Sequence, residues 1–271
     1  MPTISLLMPT YNREFIIELA IRSILSQLDH SWKIELVIAD DGEDGTAEII
    51  QKLRQENIQV EINYIQHERM PLSDKFNFMV EKCSGDYYGL VGSDDIQSPY
   101  KVSAFEQALA ENPRGDIFGQ WQFAYHDIVF KNSRLWTQNR DLHLFKAGSF
   151  TIVKKSLFTQ YGGYDPGLWR SVDSSFAAKL KDVKLELVDM GKYEPRIHHT
   201  AIALQHLDNI WRRKSKGFRK KNKQTKNFLS EEVDLKLDEM PESVYTSYLK
   251  IQTQIQNQLS PLQKLYLYLK K

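Results

Sequence analysis

Apolar runs alternate with helical apolar stripes over the first 112 residues. Most of the runs are continuous, as in strands buried on both faces of a parallel sheet, and the stripes have the three- and four-residue spacing of amphipathic helices. The pattern predicts strands over 4–8, 34–39, 60–65 and 87–91 and helices over 16–28, 46–53, 72–82 and 99–111. Pro9 ends the first run, and Pro99 opens the last helix at a favoured first-turn position. Because strands and helices alternate, we expect a parallel sheet with right-handed crossovers.

After Asn112-Pro113 the elements become shorter and aromatic residues more frequent. The pattern predicts strands over 117–130, 148–153, 185–188 and 197–204 and short helices over 155–160 and 174–180. A last helical stripe covers 242–271 and is broken at Ser260-Pro261. We treat 212–271 as a C-terminal appendage, and the fold class predicted from the whole pattern is α/β.

Composition limits the domain size, the disulfide content and the compartment that we expect for this protein. The chain has 271 residues, of which 41% are hydrophobic, so it can form one large domain or a domain with an appendage. The formal net charge is only +1, and Cys83 is the single cysteine, which excludes an internal disulfide framework. No apolar stretch approaches the roughly 18 residues of a membrane span, and the N-terminus lacks the pattern of a signal peptide. We expect a cytoplasmic protein, with peripheral contact at a membrane surface as an alternative.

Three acidic positions follow predicted strands or open a helix. Asp40-Asp41 comes after the second strand, Ser93-Asp94-Asp95 follows the fourth, and Asp173 begins a helical stretch. Carboxylates at the carboxyl ends of successive parallel strands converge on one crevice. Their oxygens are ligands that Mg²⁺ and Mn²⁺ prefer. The pattern therefore predicts a crevice for a divalent metal, a nucleotide and a catalytic base.

Together with the opening segment Pro9-Thr10-Tyr11-Asn12, these positions make residues 1–210 resemble the family-two glycosyltransferases. The resemblance implies a GT-A fold, which is a Rossmann-like mixed sheet flanked by helices, here with a helical C-terminal appendage. It implies a catalytic domain over 1–211, with a nucleotide-binding half (1–112) and an acceptor-binding half (113–211).

The resemblance also implies a nucleotide site. Uridine would be held by the segment Pro9, Thr10, Tyr11 and Asn12, with Tyr11 stacked on the base. Asp41 would accept a hydrogen bond from a base N–H, and Asp40 is the less favoured twin. The alternative is an ordinary acidic turn, since Asp and Gly are common turn formers.

Asp94 and Asp95 are the implied metal ligands, and Asp94 alternatively contacts the ribose. Ser93 stands where the family's motif has an outer carboxylate, and the alternative role for this segment is a helix N-cap. Lys75 is assigned to the diphosphate or ribose edge, with a solvated lysine on a helix face as the alternative. His206, in the segment Gln205-His206-Leu207-Asp208-Asn209, is assigned to the metal or diphosphate, although a lone histidine is more often a packed or surface group.

The segment Gly162-Gly163-Tyr164-Asp165 leads to Asp173, which the resemblance identifies as the base that deprotonates the acceptor hydroxyl. Val172 replaces the first acid of the family's pair. The alternative is that Asp173 only caps its helix. Trp169 is assigned to acceptor binding because it lies between the glycine turn and Asp173, and core packing is the alternative for each tryptophan.

The segment 212–226 is strongly basic, with nine Lys or Arg among fifteen residues. It fits a loop that closes over a diphosphate, a surface for anionic lipid headgroups, or a contact with a nucleic-acid backbone. The predicted function is a metal-dependent inverting transfer from a UDP-sugar to a glycan or lipid-linked acceptor. A transferase acting on a hydroxymethylated base in DNA ranks second. A nucleic-acid-binding module with an inactive transferase fold and a nucleotidyltransferase are the alternatives of other classes.

Overall fold

The computed structural model describes residues 1–128, 132–138, 151–193, 201–205, 228–233, 235 and 237–258. In chain order the strands are β1 (Thr3–Thr10), β2 (Lys33–Asp40), β3 (Glu61–Gln66), β4 (Tyr87–Leu90), β5 (Asp95–Gln97), β6 (Ile117–Gly119), β7 (Gln122–Asp127), β8 (Asn132–Gln138), β9 (Ile152–Lys154), β10 (Leu187–Asp189), β11 (Ala201–Gln205) and β12 (Phe228–Val233). The α-helices are α1 (Ile17–Leu25), α2 (Thr46–Glu56), α3 (Leu72–Lys82), α4 (Lys101–Glu111), α5 (Lys155–Tyr161), α6 (Val172–Lys179) and α7 (Glu242–Gln258). Short 3₁₀ turns cover Met190–Lys192 and Leu237–Glu239.

A seven-stranded mixed sheet has the order β10-β6-β9-β4-β1-β2-β3. The strands β1 to β4 run parallel to their sheet neighbours within this group, whereas β9 is antiparallel to both β4 and β6. The predicted parallel succession is therefore correct for the first half of the chain. The antiparallel β9, which comes late in the sequence, inserts between strands from the first half and the second.

Helices cover both faces of this sheet, which explains the continuous apolar runs. Along β1, side chains alternate between the two faces. Ile4, Leu6 and Met8 pack in one buried cluster with residues of α1 and α4, including Phe105. Leu7 belongs to the opposite cluster, which contains residues of α3 and α6.

A second sheet, in the order β12-β8-β7-β11-β5, stands beside the first. Ile96 of β5 and Ile202 of β11 share a buried cluster with Leu19 of α1 and Ile251 of α7. Strand β12 thus pairs with β8, and helix α7 packs on α1, although both elements lie beyond residue 212. The division of the chain at residue 212 stays a prediction.

Several boundaries differ from the sequence prediction, and two of the differences lie at prolines. Strand β1 continues through Pro9, because β4 pairs with β1 only as far as Leu7 and leaves that side of Pro9 without a neighbouring strand. Helix α4 begins at Lys101 rather than at Pro99. Pro99 instead lies in the preceding turn, where its carbonyl accepts the N–H of Leu28 at 2.7 Å.

Candidate active site

Four parallel strands end at one edge of the large sheet. Strands β2 and β4 flank β1 in parallel register, and β3 extends the set beyond β2. Thr10 ends β1, Asp40 ends β2, and the segment 93–95 follows β4. The crevice outside the carboxyl ends of parallel strands is the usual ligand site in sheets of this kind. Thr10 and Asp41, assigned to the nucleotide, and Asp94 and Asp95, assigned to the metal, therefore lie along one edge.

The carboxylate of Asp41 is buried and contacts two cations. Lys75 Nζ donates to Asp41 Oδ1 at 2.6 Å, and Arg69 Nη1 donates to the same oxygen at 3.1 Å. The backbone N–H of Met70 donates to Oδ2 at 3.3 Å. Burial lowers the pKa of the Lys75 ammonium, and the Asp41 carboxylate opposes that shift. The crevice thus has a buried carboxylate whose charge is balanced from inside the protein.

Lys75 points into the protein and is only 3% exposed. Its ammonium also donates to the carbonyl oxygen of Thr10 at 2.9 Å, so it ties α3 to the ends of β1 and β2. The solvated helix-face alternative is wrong for this reason. A contact between Lys75 and the donor stays a prediction.

The carboxylate of Asp40, next to Asp41, is fixed by two hydrogen bonds. Its Oδ1 accepts the N–H of Gly42 at 2.9 Å, and its Oδ2 accepts the Tyr64 hydroxyl at 3.0 Å. A Cβ on Gly42 would lie 2.7 Å from the backbone nitrogen of Asn12, so this turn needs glycine. These contacts give Asp40 a structural role at the end of β2.

An arginine that sequence reasoning missed lies at the centre of the crevice. The guanidinium carbon of Arg69 is 3.5 Å from the centroid of the Tyr11 ring and 5.0 Å from that of Trp169. Both rings are substantially exposed. The stack joins the loop after β1, the loop after β3 and the loop before α6. A basic residue in the loop after β3, at the same edge as Asp41, was the sequence signal available.

Two buried polar atoms near the end of β1 have no hydrogen-bond partner among the described residues. They are the hydroxyl oxygen of Thr10 and Nε of Arg13. Asn12 between them has a positive φ of 49°, and its Oδ1 accepts the N–H of Glu43 at 2.9 Å. Buried polar groups are nearly always hydrogen-bonded, so unsatisfied ones mark a place where a ligand can bind.

Asp94 and Asp95 lie side by side at the start of β5. Asp94 is paired with Arg13 at 3.6 Å, which links this segment to the loop after β1. Asp95 is 8% exposed and pairs with Ala203 of β11 in antiparallel register. A Cβ on Gly92 would lie 2.3 Å from Asp95 Oδ2, so glycine allows this carboxylate to fold over the turn. Asp95 therefore opens a strand, and the helix N-cap alternative is wrong.

Lys101, in the first turn of α4, is fully buried. Its ammonium donates to Gln97 Oε1 at 2.6 Å. Burial lowers its pKa to about 7, and the nearby negative charge of Asp95 acts in the opposite direction. A buried lysine thus lies close to the carboxylate of Asp95, and the amphipathic pattern of α4 gave no sign of it.

The carboxylates of Asp94 and Asp95 fit a divalent cation whose coordination shell is completed by the substrate. Within the described ranges, no group of three or more His, Cys, Asp or Glu side chains is placed to hold a metal. Mg²⁺ and similar ions often use one or two carboxylates together with substrate phosphates and water, and Asp94 and Asp95 offer two. His206, the third assigned ligand, lies outside the described residues.

The segment that leads to Asp173 is fastened to α3. Asn77 donates to the carbonyl of Tyr164 and accepts its N–H, both at 2.9 Å. Ser73 Oγ accepts the N–H of Leu168 at 2.9 Å. Asp173 then lies in the first turn of α6, two residues after Ser171, whose φ of 57° turns the chain into the helix. Helix α3 thereby carries contacts to both Asp41 and the segment before Asp173.

The described tryptophans of the predicted acceptor-binding half, Trp121, Trp136 and Trp169, have different surroundings. Trp169 is 51% exposed and flanks Arg69 at the crevice. Trp136 stacks on Phe123 with ring centroids 6.3 Å apart, and Trp121 packs against the cluster around Phe76. Core packing, the alternative for each tryptophan, thus describes Trp121 and Trp136. The acceptor role of Trp169 stays a prediction.

The comparisons with known proteins identify the family. The family model for "Glycosyl transferase family 2" matches residues 5–168, which is more than half of the chain. The chain therefore belongs to glycosyl transferase family 2, and the resemblance drawn from its motifs is confirmed.

Curated relatives agree with this assignment. An uncharacterized glycosyltransferase of Haemophilus influenzae is 28% identical over 158 residues, covering 56% of this chain and 61% of the relative. The GalNAc(5)-diNAcBac-PP-undecaprenol beta-1,3-glucosyltransferase of Campylobacter jejuni is 28% identical over 187 residues, covering 62% of this chain and 59% of the relative. The matched region is thus about three fifths of each relative's length.

Solved structures show the fold. Staphylococcus aureus TarS residues 1–349 in complex with UDP-GlcNAc superpose with a TM-score of 0.58 at 16% identity, covering 77% of this chain and 60% of that chain. The mannosyltransferase PcManGT from Pyrobaculum calidifontis, in complex with GDP-Man and Mn²⁺, gives 0.58 at 14% identity, covering 98% and 79%. The predicted GT-A fold is confirmed.

Proposed function

We propose that this protein transfers a sugar from a UDP-sugar to an acceptor hydroxyl of a glycan or lipid-linked saccharide, with inversion and with the help of a divalent metal. The observation that carries the proposal is the shared crevice at the sheet edge. There the buried Asp41, the exposed ring of Tyr11 and the carboxylates of Asp94 and Asp95 lie on adjacent strand ends. Family membership and the donor complexes of the structural neighbours support it.

The nucleotide would bind at the ends of β1 and β2. The ring of Tyr11 offers a stacking face, and stacking on an aromatic ring accepts any base. The carboxylate of Asp41 accepts N–H groups, so it can select a base that presents one, as uracil does. The unsatisfied hydroxyl of Thr10 is available to the ribose or the base.

The diphosphate would lie toward the segment 93–95. Asp94 and Asp95 would hold Mn²⁺ or Mg²⁺, and such an ion, when bound, offsets the charge that grows on the leaving diphosphate. Arg13 faces the same region through its 3.6 Å pair with Asp94 and can bind a phosphate oxygen. The buried Lys101 interacts electrostatically with Asp95 from inside the protein.

Asp173 would act as the general base. It would take the proton of the acceptor hydroxyl from within about 3 Å as the acceptor oxygen bonds to the anomeric carbon. The bond between that carbon and the diphosphate oxygen breaks on the opposite face, which inverts the configuration. The first turn of α6 suits this role because the helix dipole favours a negative charge there.

The acceptor class is the finer part of the proposal. The name of the Campylobacter jejuni relative specifies an undecaprenol-linked substrate, which supports a lipid-linked saccharide here. No helix in the described part of the chain has the length and apolar character to cross a membrane. We propose a protein that meets such an acceptor from a membrane surface, in the cytoplasm. The basic segment 212–226, assigned to lipid, DNA or solvent, lies outside the described residues.

A donor panel tests the proposal directly. The full chain is mixed with UDP-, GDP- and other nucleotide-sugars, with and without Mn²⁺, and thermal stabilisation and nucleoside diphosphate release are measured. Stabilisation by a UDP-sugar that depends on the metal is the expected result. A lack of response to every donor, together with salt-sensitive retention on DNA, would contradict it and favour the binding-module alternative.

Asp173→Asn separates binding from chemistry. The amide keeps the size of the side chain but does not remove a proton, so we expect UDP-sugar binding within about twofold of wild type and transfer reduced by roughly 100-fold or more. The matched control is Asp182→Asn, an exposed aspartate in the turn after α6. Normal transfer by Asp173→Asn would show that another group is the base.

A further inference from the structure

The guanidinium of Arg69 makes two contacts that matter for the nucleotide site. It lies flat enough over Tyr11 to bring its central carbon within 3.5 Å of the ring centroid. It also donates an N–H to Asp41 Oδ1 at 3.1 Å. The ring centroid of Trp169 lies 5.0 Å from the same guanidinium carbon.

A nucleobase bound as proposed above would make the same two contacts. It would stack on Tyr11 and donate an N–H to Asp41. A guanidinium and a nucleobase are both planar groups with N–H donors in the plane, so each satisfies this pair of partners. A single space touches both the Tyr11 ring and the Asp41 carboxylate, and Arg69 fills it.

We propose that Arg69 occupies the nucleobase position and that the base binds by displacing its guanidinium. This inference rests on the proposed function, because it takes Tyr11 and Asp41 as the base-binding pair. Arg69 is thus a residue that sets nucleotide affinity and specificity. A base that stacks on Tyr11 but cannot donate to Asp41 fails to replace the lost hydrogen bond.

The surroundings make the displacement feasible. The Arg69 side chain is 46% exposed, so its guanidinium can move into solvent or toward a phosphate. Asp41 does not lose its counter-charge when Arg69 leaves, because Lys75 remains bound to the same oxygen at 2.6 Å from inside. Tyr11 and Trp169 are exposed rings that a base can cover again.

The test uses uridine, because a nucleoside carries no phosphate whose attraction to Arg69 would mask the effect. Uridine and UDP binding are measured by ligand-observed NMR titration for wild type, Arg69→Ala, Arg69→Lys and Arg54→Ala. Arg54 lies on the exposed face of α2 and is the matched control. Thermal melting checks that each variant folds.

We expect uridine to bind Arg69→Ala about tenfold more tightly than wild type, which corresponds to about 1.4 kcal/mol. Arg69→Lys keeps the positive charge but lacks the planar guanidinium, so it should bind uridine with intermediate affinity. Arg54→Ala should match wild type. The affinity for UDP should rise less than the affinity for uridine in Arg69→Ala. In wild type the displaced arginine can contact the diphosphate, and the alanine variant loses that contact.

Two results would overturn the inference, and they are distinguishable. If wild type binds UDP but Arg69→Ala binds uridine equally or more weakly, Arg69 is a ligand of the base or a bystander. If wild type binds neither UDP nor uridine, the proposed donor class fails, and this inference fails with it.

Discussion

At the scale of single residues, Glu35 shows how a buried charge can stabilise a strand without taking part in the site. It lies in β2 at 3% exposure and accepts hydrogen bonds from the Ser5 hydroxyl and from Asn63 Nδ2 at 2.9 Å. It also accepts the N–H of Ser84 at 2.8 Å. One carboxylate therefore links β1, β2, β3 and the turn before β4.

We expect Glu35→Ala to destabilise the protein by about 3 kcal/mol, because it leaves several buried donors without an acceptor. Urea denaturation measures the change in unfolding free energy. The control is Glu61→Ala on β3, whose ion pair with Lys33 is exposed and so contributes little to stability. Equal effects of the two substitutions would argue against a structural role for the buried network.

At the scale of elements, α3 connects the two halves of the proposed site. One of its residues, Lys75, contacts Asp41, and two others, Ser73 and Asn77, hold the backbone of the segment before α6. The two hydrogen bonds of Asn77 to Tyr164 fix where that segment begins. Asn77 is thus a positioning residue for Asp173 and does not contact the reacting atoms in this proposal.

Asn77→Ala should lower transfer about tenfold while leaving UDP affinity within about twofold, because catalysis depends on sub-ångström placement of the base. Steady-state kinetics with the donor identified by the panel, combined with UDP titration, separates the two effects. Glu81→Ala, an exposed change on the same helix, is the control. A parallel loss of UDP affinity would show that α3 as a whole had been disturbed.

At the scale of the whole molecule, a buried histidine joins the second sheet to the C-terminal helix. His126 Nδ1 lies 2.8 Å from Ser133 Oγ, and its Nε2 lies 2.8 Å from the Tyr248 hydroxyl of α7. Burial lowers the pKa of His126 to about 4. The neutral ring is therefore part of the contact that holds α7 on the second sheet.

This contact predicts a pH dependence of stability. The unfolded chain binds a proton at His126 below its ordinary pKa of about 6.5, whereas the folded chain does not until about 4. Stability is thus full above about pH 6.5 and falls as the pH drops toward 4, by up to about 2 kcal/mol at pH 5. Urea denaturation at pH 7 and pH 5 should show a smaller loss for His126→Gln than for wild type.

The comparison variant for this experiment is His30→Gln, outside the second sheet, which should keep the pH slope of wild type. An unchanged slope in His126→Gln would mean that the buried histidine does not control acid stability.

Part of the site could be predicted from local patterns. Asp41 and Asp95 follow strands whose apolar runs are visible in the sequence, and parallel strands must end at one edge. Arg69, Lys101 and Asn77 were missed. Their partners lie far away in the chain. A basic residue in the loop after β3 was visible for Arg69, but neither residue type nor periodicity shows that a lysine is buried or that an arginine stacks on a tyrosine.

The sequence by itself determined the order and kind of most elements, the mixed α/β class and the family, because these follow from short-range apolar spacing and contiguous motifs. It did not determine that β9 inserts antiparallel between β4 and β6, or that β5 pairs with β11. Nor did it show that Tyr11, Arg69 and Trp169 meet. Only the tertiary structure decided these points, because each depends on which distant segments are packed together once the core is closed.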